Sequence, residues 1–177
     1  MRENQLQAIT HPIFEIVAEA ANELKFSTYV IGGYVRDHHL QRGKSMDIYF
    51  VAIGNGIDLA KKVASKIKGK PEVTIFKNYG TAMIKHNDLE LEFVGARKES
   101  YQKNSRNPII ENGTLEDDQN RRDFTINALA ISLNKKDYGA LLDPFDGITD
   151  IKKRLLKTPL EPSITYSDDP LRMMRAI

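Results

Sequence analysis

The stretch that decides the fold reads Thr28-Tyr-Val-Ile-Gly-Gly-Tyr-Val-Arg-Asp37, followed shortly by Met46-Asp-Ile-Tyr-Phe50. Residues 28–31 form a short β-rich run that the double glycine stops. A helical segment over 34–40 follows, and 46–53 reads as a second strand. Within that strand Asp47 and Tyr49 share one face, and Ile48 and Phe50 share the other. Upstream, residues 12–24 predict an amphipathic helix: Pro12 suits the first turn, and Ile13, Val17, Ala21 and Leu24 fall on one stripe. Downstream, Gly54-Asn55-Gly56 marks a turn before a helix over 57–67. Three short strands are expected at 72–76, 81–85 and 89–94, joined by connections of hairpin length. Residues 96–113 are polar and basic and read as a mobile loop. Thr114-Leu-Glu-Asp117 resembles a helix-start capping pattern. A strand over 128–133, a turn at Asp143-Pro-Phe-Asp-Gly147 and a helix over 148–155 follow. A last helix begins at Ser167-Asp-Asp-Pro170. The sequence stops inside that helix, which reads as a piece of a longer protein. Helices alternating with strands and then a strand cluster predict α+β with a mixed sheet.

Composition narrows the function classes. Hydrophobic residues make up 41% of the 177, enough for a sizeable core. The 26 Lys+Arg against 24 Asp+Glu leave a net charge of only +2, which argues against a polybasic protein but leaves a local basic face open. There is no cysteine, which removes disulfide scaffolds, zinc–thiolate sites, iron–sulfur clusters and cysteine nucleophiles together. No apolar run approaches the roughly 18–20 residues of a spanning helix, and the N-terminus lacks a signal-peptide core. The expectation is a cytoplasmic chain with no membrane partner.

Three clusters carry the chemistry. Gly32 and Gly33 end a strand and open a helix, a geometry that lets a backbone approach phosphate; taken alone, the double glycine is more often a tight strand-to-helix turn. Arg36 and Asp37 read at face value as an ion pair. Asp47 is a carboxylate on a sheet face: a solvated residue taken alone, a candidate ligand for Mg²⁺ beside a phosphate-binding turn. Arg121-Arg-Asp-Phe-Thr-Ile-Asn127 packs two arginines, an Asp and an Asn ahead of an apolar stretch. Arginine forks suit phosphate, and Asp and Asn suit sugar hydroxyls; a charge-neutralised helix surface is the alternative.

Together these motifs, with Asp143-Pro-Phe-Asp-Gly147 and Asp168-Asp-Pro-Leu-Arg-Met-Met-Arg-Ala176, stand in the order and spacing of a known family. From about Tyr29 onward the sequence resembles the head domain of class II tRNA nucleotidyltransferases, the CCA-adding enzymes and bacterial poly(A) polymerases. Phe76-Lys-Asn-Tyr-Gly-Thr-Ala82 and Glu92-Phe-Val-Gly-Ala-Arg97 fit the same pattern. The resemblance implies a DNA polymerase β-like nucleotidyltransferase fold, an α+β mixed sheet flanked by helices. Residues 1–157 would be the head, and 158–177 a linker and the start of a neck helix. It implies template-independent addition of CMP or AMP from CTP or ATP to a tRNA 3′ end, by a two-metal mechanism with Mg²⁺. Gly32 and Gly33 would line the triphosphate with Arg36 close by. Asp47 would bridge the metals, and Glu92 would stand in the place of a third acidic residue. Arg122, Asp123 and Asn127 would recognise the ribose, and Asp143, Asp146 and Gly147 would couple head and neck.

One departure is chemical. The family reads Asp-x-Asp where this sequence has Asp47-Ile48-Tyr49. A neutral phenol is a poor ligand for Mg²⁺ and far bulkier than a carboxylate, so impaired transfer with surviving nucleotide binding is expected. This opens the rival reading, a catalytically degenerate nucleotide- or RNA-binding module. Among lesser signals, Arg97, Lys98 and Arg106, with Tyr101 and Lys103, leave open an RNA-phosphate contact or a solvated loop. His38 and His39 are expected to diverge on a solvated surface. The lysines between Lys61 and Lys70 read as a solvated helix face, and Met173 and Met174 as core packing.

Overall fold

The computed structural model of the chain describes residues 6–43, 45–100 and 109–177. Helix α1 (Ile13–Leu24) follows Pro12 and buries Ile13, Phe14, Val17, Ala20 and Ala21 on one stripe. It ends at Lys25, which adopts a left-handed φ of 58° and returns its N–H to the last turn. Strand β1 (Ser27–Ile31) runs into Gly32 and helix α2 (Gly33–His39). Strand β2 (Asp47–Ile53) leads to helix α3 (Gly56–Lys66), whose cap Asn55 accepts from the Ile57 and Asp58 N–H groups. Then come β3 (Val73–Phe76), β4 (Thr81–His86) and β5 (Leu89–Gly95). The chain goes on through β6 (Arg97–Ser100), β7 (Ile109–Asn112) and α4 (Leu115–Asn120). A 3₁₀ turn at Thr125–Asn127 precedes β8 (Ala130–Ser132) and β9 (Leu141–Leu142). Helices α5 (Gly147–Lys153), α6 (Pro162–Asp168) and α7 (Leu171–Met174) complete it.

The seven-stranded sheet runs β3-β4-β5-β2-β1-β8-β9, with β2 and β5 parallel and the remaining pairs antiparallel. It is the mixed α+β sheet that the order of elements predicts. The period-two pattern of β2 decides its two faces. Ile48 and Phe50 point into the main core, where the Phe50 ring stacks on Phe93 at 5.1 Å and meets Phe14 edge-on at 6.0 Å. The opposite face carries a smaller apolar patch of Ile31, Val51, Val94, Ala96 and Ala130, with Tyr49 at its margin. No helix among the described residues is long and apolar enough to cross a membrane.

Several expectations change. The ends of the 96–113 segment pair as a two-stranded ribbon, Arg97 opposite Asn112, which satisfies backbone groups that a loop would leave to water. Tyr101, Lys103 and Arg106 lie outside the described residues. His38 and His39 do not diverge: their rings meet edge to face at 5.3 Å. The His39 Nε2 is buried without a hydrogen-bond partner. Burial pushes His39 below its ordinary range, His38 adds to the shift, and Asp143 opposes it. Lys62 and Lys66 are not simply solvated but bridge to Glu23 on α1, each at 2.6 Å. Met173 and Met174 are exposed rather than packed. Helix α6, begun by Pro162 at its first turn, and the two-residue β9 were not legible as elements.

Candidate active site

The site is built on the face of the sheet turned away from α1 and α3. Strand register puts Asp47 opposite Glu90 and Tyr49 opposite Glu92, so three carboxylates and a phenol share a small area. Glu92 feels the crowding: partial burial, then the charges of Asp47 and Glu90, raise its carboxyl above the ordinary range. Lys85 balances one of the three, with its Nζ 2.6 Å from Glu90.

The double-glycine turn lies at the neighbouring strand end, because Ile31 pairs with Tyr49. Gly32 has φ 87° and ψ −137°, a conformation that glycine adopts without strain and a side chain does not. Its N–H donates to the Leu129 carbonyl at 3.1 Å, and a Cβ built there would stand 3.5 Å from Arg122 Nη1. The segment 122–129 is therefore laid directly against the turn.

Arg36 ties the two together. Its Nε and Nη2 donate to Asp37 at 2.8 and 3.1 Å, the ion pair that the sequence predicts. Its Nη1 donates to Asn127 Oδ1 at 2.7 Å, across ninety-one positions of sequence. Asn127 Nδ2 in turn donates to Asp123 Oδ1 at 2.9 Å, and the Phe124 N–H donates to the same oxygen at 2.8 Å. Asp123 Oδ2 makes a loose contact with Arg175, at 3.4 Å. Thr125 anchors this segment from behind, its hydroxyl donating to the buried Asp150 at 2.6 Å and its N–H to the Lys157 carbonyl at 2.8 Å.

Gly32, Gly33, Arg36, Arg122, Asp123 and Asn127 thus converge, and Asp47 and Glu92 sit on the adjoining strands. Asp143 acts locally, where its carboxylate accepts the Gly147 and Ile148 N–H groups at 2.6 and 3.0 Å and starts α5. Arg97 and Lys98 sit on the ribbon, where Arg97 donates to the Tyr79 carbonyl at 3.4 Å.

One residue at this site went unread in the sequence. Asp118 is wholly buried on α4 and accepts from Arg121 through one oxygen and Arg122 through the other. Its signal was present: an acid three and four residues before two arginines is helical ion-pair spacing. Above it, the Arg122 guanidinium lies over the Tyr49 ring, 5.2 Å from the centroid.

This geometry can be set beside known proteins. Residues 28–157 match the family described as the poly(A) polymerase head domain. The chain belongs to that family. The chain is 43% identical over 150 residues to an A-adding tRNA nucleotidyltransferase of Aquifex aeolicus, covering 84% of this chain and 18% of the relative. It superposes with a TM-score of 0.74 on a tRNA nucleotidyltransferase solved with a primer tRNA and an incoming ATP analogue, at 38% identity over 90% of this chain and 43% of the other. A CCA-adding enzyme solved with ATP gives a TM-score of 0.81 at 28% identity, over 98% of this chain and 39% of that one. The chain therefore spans from about a fifth to about two fifths of the length of these proteins. Its fold is that of the DNA polymerase β-like nucleotidyltransferases.

Proposed function

We propose that this head domain binds ATP or CTP and serves template-independent addition of AMP or CMP to a tRNA 3′ end in the cytoplasm, with transfer impaired by Tyr49. Residues 1–157 form the head, and 158–177 lead out of it toward a neck. The observation that carries the reading is the Arg36–Asn127–Asp123 chain, which fastens a double-glycine turn to an arginine- and carboxylate-bearing segment beside the Asp47 strand. Gly32 and Gly33 give the triphosphate close access to backbone, and Arg36 and Arg122 supply positive charge beside it. Asp123 Oδ2, held loosely by Arg175, is the acceptor available to a ribose hydroxyl, so it favours ribonucleotides.

Whether the residues suit a divalent cation is a question of donors. Asp47 and Glu92 are hard oxygen donors on one face, and the repulsion from Asp47 that helps raise the Glu92 carboxyl is one that a cation would relieve. Among the described residues no group of three or more His, Cys, Asp or Glu side chains is placed to hold a metal, and Tyr49, two residues after Asp47, is the cross-strand partner of Glu92. Asp47 and Glu92 are the residues that would hold one Mg²⁺. The chemistry such an ion supplies is charge neutralisation at the α-phosphate and a lowered pKa of the attacking 3′ hydroxyl. Arg97, Lys98 and Arg106 are the proposed contacts to RNA phosphates.

The degenerate binding module is the second reading, favoured by Tyr49 itself, whose ring lies under Arg122 instead of offering a carboxylate. One titration separates the two: ATP and CTP, with and without Mg²⁺, against this chain and its Tyr49→Asp variant. The expected result is Mg²⁺-dependent binding that strengthens at least about tenfold on Tyr49→Asp, the scale on which even partners of metal ligands act. Binding unchanged by the substitution supports the degenerate module. Absence of binding in both proteins overturns the nucleotide site.

A further inference from the structure

We propose that Asp118 is a positioning residue, a buried carboxylate that holds the Arg122 guanidinium against the Gly32 turn so that its Nη1 edge faces incoming phosphate. The inference rests on the nucleotide-binding reading of that turn and goes beyond it by giving a role to a residue that touches no nucleotide.

Asp118 has 0% of its surface exposed, and a carboxylate without water must be matched by donors. Its match is complete. Arg121 donates through Nε at 3.0 Å and through Nη2 to Oδ1, and Arg122 donates through Nε at 3.1 Å and Nη2 at 2.7 Å to Oδ2. Burial alone would raise this carboxyl; the Arg122 and Arg121 charges and their hydrogen bonds outweigh it and hold it below the ordinary range.

The consequence for Arg122 is geometric. A guanidinium is a rigid plane, so fixing the Nε and Nη2 edge fixes where Nη1 goes. Nη1 is the atom 3.5 Å from the Cβ position of Gly32, and the plane lies over the Tyr49 ring. An arginine left to its own rotamers would lose this aim, since its side chain carries high conformational entropy. The carboxylate sets both position and direction before any ligand arrives, which is preorganisation at the point where phosphate charge enters. Arg121 takes the second oxygen, so neither lone-pair edge of Asp118 is free to swing.

The test is a double-mutant cycle read in two ways. Asp118→Asn keeps the shape but removes the charge; Arg122→Gln removes the guanidinium; the third protein carries both. For ATP titration the expected result is a loss on the order of tenfold for Asp118→Asn, with the double variant no weaker than Arg122→Gln alone. A purely structural role for Asp118 would lower the melting temperature and leave the Kd of the folded protein unchanged, and that result overturns the proposal. Additive losses overturn it too, because they place Asp118 outside the action of Arg122. The second readout needs no nucleotide: the NMR signals of Arg122 Nε–H and of the Gly32 amide should shift in Asp118→Asn. If neither signal shifts, the positioning role fails even where ATP binds. If ATP fails to bind the unmodified chain but both signals shift, the site reading fails and the clamp on Arg122 stands.

Discussion

At Glu92 the fold keeps a carboxylate where ionisation is unfavourable. Its carboxyl is raised by partial burial first and then by Asp47 and Glu90, so the charged form is less welcome in the folded state than in the unfolded one. Above the raised value the ionised Glu92 therefore opposes folding, and below the ordinary value of 4.5 the penalty is gone. Glu92 is exposed, so water and salt screen much of the penalty, and Glu92→Gln should raise the melting temperature at pH 7 by no more than about 1 °C. The gain should shrink as the pH falls toward 4.5; an equal gain at pH 7 and pH 4 would exclude the electrostatic explanation. The same repulsion is one that a cation bound on this face would relieve. Tyr49 adds no carboxylate to this face, and its ring lies under the Arg122 guanidinium.

Among elements, the turn between β1 and α2 does the most with the least. Gly32 holds a backbone conformation forbidden to side chains, its N–H is fixed on Leu129, and Arg122 lies over it. Gly32→Ala should lower the melting temperature by roughly 2–10 °C, from a strain of about 1–3 kcal/mol. A thermal melt checks this, and a shift of under 1 °C would show that the turn relaxes freely. Much at this scale was legible in the sequence for local reasons. The stripe of α1, the alternation of β2 and the reciprocal cap of Thr114 and Asp117 all depend on neighbours within a turn or two. What stayed hidden depends on distance along the chain. The glycine turn and the Arg36–Asp37 pair could be read locally, but nothing local announces that Arg36 would reach Asn127. The ribbon of β6 and β7 was hidden for a related reason. Its two four-residue strands, reading Arg-Lys-Glu-Ser and Ile-Ile-Glu-Asn, do not alternate apolar with polar, so only the pairing itself defines them.

The whole molecule sets these pieces in two layers, with α1 and α3 covering one face of the sheet and the candidate site on the other. The helical layer is closed by charge as well as by packing. Glu23 of α1 meets both Lys62 and Lys66 of α3 at 2.6 Å, and Glu19 reaches Lys66 at 3.4 Å. Hydrogen bonds from Lys62 and Lys66 lower the Glu23 carboxyl from 4.5 to about 2, and the Glu23 hydrogen bond raises Lys66. Because the folded value lies below the unfolded one, the Glu23 contribution is fully present above about 4.5 and is lost as the pH falls toward 2. The cluster is exposed, so salt screens it and its share of the stability is modest. Glu23→Gln should therefore melt slightly below the parent at pH 7 and low ionic strength. The gap should narrow in 1 M salt, where the screening length is only about 3 Å. It should close as the pH approaches 2, when the parent Glu23 is itself protonated. Melting curves across that pH range decide it, and a gap that survives both acid and salt would mean that Glu23 holds α1 to α3 by packing instead of charge.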